Sequence, residues 1–153
     1  MALKLKQNRQ TVYMISNVPT TSAEAISHLF FHCCFKDGTV TADEINAVSE
    51  KLVAIGLNKQ LNFKDEIIRY RSHREAEGNE TAYIEKLVAA IQPKYPLALF
   101  SLCVELCISD GIQEMENQLL QKIGSALYLT EDEQIVCKKL MAQRNAIARE
   151  KSV

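Results

Sequence analysis

The chain has 153 residues, 47% of them apolar and 24% charged, which is the make-up of one globular domain with a single substantial core. Eighteen Lys and Arg nearly balance nineteen Asp and Glu, so no bulk field draws it to nucleic acid or to an anionic membrane surface. Three prolines, five glycines and no tryptophan argue against a loop-rich or all-β design.

No targeting segment is expected from the pattern at the start of the sequence. Met1 to Gln10 is basic, but Thr11 to Val18 is too short and polar for a signal-peptide core. No apolar run reaches the ~18–20 residues of a membrane span. The expectation is a cytoplasmic chain without membrane insertion. Its five cysteines are odd in number and form no CxxC, so they are expected to be reduced and mostly buried.

Residues 1–19 read as an irregular segment, with one short extended stretch at Thr11 to Ser16, closed by Pro19. Residues 20–153 read as one all-helical domain. Thr20, Thr21 and Ser22 offer N-caps to a helix from about Ala23 to Lys36, apolar nearly all round at its C-terminal end and therefore central. After Asp37-Gly38, Thr41 and Glu44 stand at capping-box spacing, and Ile45, Val48, Leu52 and Ile55 form one helical stripe that Gly56 ends.

Asn58 or Asn62 caps a third helix, whose far end, Arg69 to Glu77, reads as a solvated charge run. A fourth helix spans Thr81 to Ile91, and Pro93 and Pro96 reset the chain. A fifth, about Leu97 to Ser109, is again apolar nearly all round. Asp110-Gly111 breaks it. A sixth helix carries Leu119, Leu120, Ile123 and Leu127, and Thr130 with Glu133 repeats the capping box before a last helix from Glu131 to about Glu150.

The two Asp-Gly corners are related by an internal repeat. At an offset of 73, Cys34 falls on Cys107 and His32 on Glu105; past the corner the offset is 72, which sets Glu44 on Glu116 and Val48 on Leu120. The fold class is therefore all-α, a bundle of six or seven helices built from two pseudo-repeated helix–Asp-Gly–helix units, with the two central helices side by side.

The pattern carried by FKDGTVTADE (Phe35 to Glu44) and ISDGIQEME (Ile108 to Glu116) resembles the TerB-like tellurite-resistance family over roughly residues 22–145. That resemblance implies a non-enzymatic, all-helical domain serving a tellurite or other chemical-stress response, with protein partners in a stress-response complex. It also implies a divalent metal ion at the acidic corners, through Asp37 and Glu44 at the first and Asp110 and Glu116 at the second. The second corner is one residue shorter, which rotates the helix beyond it by about 100° and makes Glu114 and Asn117 substitutes for Glu116.

Elementary chemistry supports both a metal and a bland reading of these corners. An aspartate at a helix C-terminus faces the negative pole of the dipole at a cost of ~0.3–1 kcal/mol, which a cation would offset. Equally, Asp-Gly is a common turn, and capping already accounts for Glu44. A helical protein-interaction module without a metal site is the rival. An EF-hand is excluded, because its first two ligand positions would fall on Cys33 and Phe35.

Other candidates are fewer. His28 and His32, at i and i+4, share a helix face, but a zinc site would need two more ligands; the simpler expectation is one packed and one exposed histidine. Glu105 sits in an apolar stretch opposite His32 in the repeat, so the two either pair or Glu105 lies on an exposed edge. Cys137, beside Lys138 and Lys139, is either a low-pKa thiol or a helix cysteine partly buried.

Overall fold

A computed structural model describes residues 19–35, 40–108 and 114–152, the side chains of 114, 115, 149, 151 and 152 excepted. The extended stretch expected at Thr11 to Ser16, and both corner aspartates, Asp37 and Asp110, lie outside the described residues. Among the described residues there are seven α-helices and no strand: α1 (Ser22–Phe35), α2 (Ala42–Ala54), α3 (Phe63–Ala76), α4 (Glu80–Ile91), α5 (Pro96–Cys107), α6 (Glu114–Ala126) and α7 (Glu131–Ser152). A short 3₁₀ turn, Asn58–Gln60, precedes α3.

Side-chain caps explain where most helices begin. Thr21 Oγ1 accepts the Glu24 N–H at 3.1 Å, and the Glu24 carboxylate accepts the Thr20 N–H at 3.0 Å. Thr41 with Glu44, and Thr130 with Glu133, form the expected capping boxes. Of the two asparagines offered for α3, Asn62 is the cap; Asn79 caps α4. Pro96 opens α5 at a position where its missing N–H costs nothing.

Two helices end in the same way. In α2 the Leu57 N–H bonds to Leu52 O at 2.9 Å and the Gly56 N–H to Val53 O at 3.0 Å, with Gly56 left-handed at φ +75°. In α6 the Leu129 N–H bonds to Gly124 O and the Tyr128 N–H to Ser125 O, both at 3.0 Å, with Tyr128 left-handed at φ +59°. Both are Schellman ends, 72 residues apart, so the repeat extends to its terminating turns.

As expected, α1 is central, packing against α2, α3, α4 and α5. Phe30 and Phe31 are fully buried, each stabilising the fold by roughly 1.5–3 kcal/mol. Phe31 stacks on Phe35 at 5.3 Å and meets the edges of Phe63 and Tyr70 at 5.3 and 6.0 Å. The second buried helix, α5, lies against α1 and is covered by α2, α6 and α7. Ile55 departs from the α2 stripe: the helix stops at Ala54, and Ile55 turns outward as its C-cap.

Candidate functional site

Of the candidate metal ligands that can be placed, Glu44 is taken up by the cap of α2. Glu44 Oε1 accepts from the Thr41 N–H at 2.9 Å and the Thr41 hydroxyl at 3.0 Å. Glu116 is half-buried in the first turn of α6, and Asn117 accepts from Lys138 Nζ at 2.7 Å. Among the described residues, no group of three or more His, Cys, Asp and Glu could hold a metal ion.

Polar chemistry in the core gathers where α1 meets α3 and α4. His28 and His32 are both buried, so the expectation of one exposed ring is corrected. His28 Nε2 lies 2.9 Å from Glu66 Oε1, and Arg69 reaches Glu66 Oε2 at 3.3 Å and Glu24 at 3.7 Å. Burial, then the neighbouring His73 and Arg69, holds His28 down to about 3, so it is neutral and its Nε2–H donates to Glu66. Burial pushes the Glu66 carboxyl up.

One turn on, His32 Nε2 donates to Glu80 Oε2 at 2.8 Å and Nδ1 meets the Tyr70 hydroxyl at 2.8 Å. Lys122 of α6 reaches Glu80 Oε1, also at 2.8 Å. The His32 bond first, and the Lys122 bond against the cost of burial, hold Glu80 down to about 2. Glu80 is thus an ionised hub joining α1, α4 and α6. Burial raises the Tyr70 and Tyr83 hydroxyls, so both stay protonated.

This network overturns the pairing of His32 with Glu105. His32 lies on the side of α1 that faces α3 and α4, whereas Glu105 bonds to Lys51 of α2 and, at 3.3 Å, to Arg144 of α7. It also revises the charge run at Arg69 to Glu77. Tyr70 and His73 are buried there, because with Glu66 they form the narrow stripe of α3 turned inward. A clue was present: His28 to Glu66 and His32 to Tyr70 are both 38 residues apart, so two i, i+4 pairs run in register along α1 and α3.

The thiols are structural in character. Cys33 bonds with Cys103, which together with burial keeps it protonated against the opposing effect of Cys107. At Cys137 burial, then Glu105, raises the thiol; this is opposite to the lowering that Lys138 and Lys139 suggested.

Among the described residues no helix is long and apolar enough to cross a membrane. No curated protein and no solved structure matches the chain. The family model described as tellurite resistance protein TerB matches residues 23–139, from the start of α1 into α7. That span takes in both buried helices, both corners and both Schellman ends, and the chain belongs to the TerB family.

Proposed function

We propose that this chain is a non-enzymatic domain of a tellurite and chemical-stress response, which takes a divalent cation at its acidic corners and works with protein partners of that response. Asp37 and Glu44 form the better site, and Asp110 and Glu116 the weaker. The observation that supports this reading is where the two helices leading into the corners end. Cys33, two residues before the end of α1, bonds with Cys103 and Cys107 in the last turns of α5. The last turns of α1 and α5 are therefore neighbours, and two negative helix poles close together favour a cation near them.

The reading is tested by thermal unfolding with Ca²⁺, Mg²⁺, Mn²⁺ or Zn²⁺ at millimolar concentration. Wild type is expected to gain stability with at least one of them, and Asp37→Asn to lose most of that gain. Four ions without effect on wild type would leave a protein-interaction domain whose corners are only turns. That second reading is favoured by one fact: the Glu44 carboxylate already serves as the cap of α2.

A further inference from the structure

The outer face of α7 is apolar where a solvated helix would be polar. Val136, Leu140 and Ile147 are 64%, 51% and 54% exposed, and their spacings set them in one line along the helix. That line runs beside an open groove of about 560 Å³ between α5 and α7, lined chiefly by Leu97, Ala98, Val136, Leu140 and Met141. Exposed leucines are ordinary when scattered; a row of large apolar side chains bordering an apolar groove marks a contact surface.

The charge order of the same helix points to the occupant. Its first three residues, Glu131 to Glu133, are acidic; the remainder carries Lys138, Lys139, Arg144, Arg149 and Lys151 against the single acid Glu150. A helix with its signs segregated in this way complements itself when reversed. A parallel copy would set acid on acid and base on base. An antiparallel copy lays each acidic turn along the basic half of the other, and a two-fold axis makes the match twice. Arg144, although bonded to Glu105, remains 64% exposed and available to a neighbour.

We infer that α7 docks a second copy of this chain, antiparallel across a two-fold axis, with Val136 and Leu140 of each copy entering the α5–α7 groove of the other. The helix is 22 residues long, about 33 Å, which is long enough to span such a contact.

Sedimentation of the full chain tests this. Wild type is expected as a dimer at micromolar loading, and Leu140→Glu as a monomer of half the mass with unchanged helicity by circular dichroism. Val136→Lys, at the most exposed position, repeats the test should Leu140→Glu misfold. The double change Glu131→Lys with Asp132→Lys is expected to weaken the dimer roughly tenfold, since each substitution counts twice across the axis. A monomeric wild type, or a dimer that survives both Leu140→Glu and Val136→Lys, overturns the proposal. A dimer indifferent to the charge reversal overturns its antiparallel arrangement.

Discussion

Tyr128 occupies a position that glycine would suit better. At φ +59° an L side chain crowds its own carbonyl, which costs roughly 1–2 kcal/mol, and with the residue 94% exposed little packing offsets it. The equivalent residue of the first repeat is Gly56, at φ +75°, where an added Cβ would meet nothing within 4 Å. The two sites form a matched pair in which only the backbone conformation is at issue. Tyr128→Gly is expected to stabilise the fold by about 1 kcal/mol and Gly56→Ala to destabilise it by about as much, both read from urea midpoints at constant slope. If Tyr128→Gly is neutral or destabilising, the tyrosine makes a contact that its exposure conceals.

At the scale of helices, Glu80 carries more than its position at the start of α4 suggests. One carboxylate receives His32 from α1 and Lys122 from α6, so three helices meet at one charge. Glu80→Gln retains the shape and one acceptor but loses the charge, and charge-assisted bonds contribute about 1.5–3 kcal/mol each when intact. With the group partly exposed, a loss of about 1–2 kcal/mol is expected by chemical denaturation, and Lys122→Met should cost less in the Gln variant than in wild type. Additive losses would mean that the two residues do not act through one another. This hub was not readable from the chain, whereas the helices were. Caps such as Thr41 with Glu44 and Thr130 with Glu133 are local, spanning three residues, and announce a helix start without reference to the rest of the fold. The buried helices announced themselves through apolar character on every side. His32 and Glu80 are 48 residues apart, and no periodicity along one helix says which neighbour it will face. The repeat even suggested a wrong partner, since equivalent positions on two packed helices need not touch. Of the corner residues, Glu44 illustrates the other difficulty: the same spacing suits a ligand and a cap, and only the bond to Thr41 shows that the second use is made.

For the whole molecule, the buried histidines and Glu80 set how stability responds to acid. His28 is held at about 3 in the folded chain against 6.5 when unfolded. Between those values the unfolded chain binds a proton that the folded chain refuses, so stability is full above pH 6.5 and falls as the pH drops toward 3. Burial lowers His73 as well, which adds to the loss just below pH 6.5. Glu80 acts later: held at about 2 against 4.5, its contribution is complete above pH 4.5 and disappears as the pH falls toward 2. Glu66 opposes them, because its raised carboxyl keeps a proton above pH 4.5 that the unfolded chain has released. His28 and His73 outnumber it, so unfolding free energy is expected to fall on acidification from pH 6.5 to 4.5, by on the order of 1 kcal/mol per pH unit. His28→Gln keeps a donor for Glu66 but cannot titrate, and should flatten that slope and leave below pH 4.5 only the share of the loss that Glu80 contributes. Parallel pH profiles for wild type and His28→Gln would show that the ring accepts its proton without unfolding, and that the core around α1 opens to admit the charge.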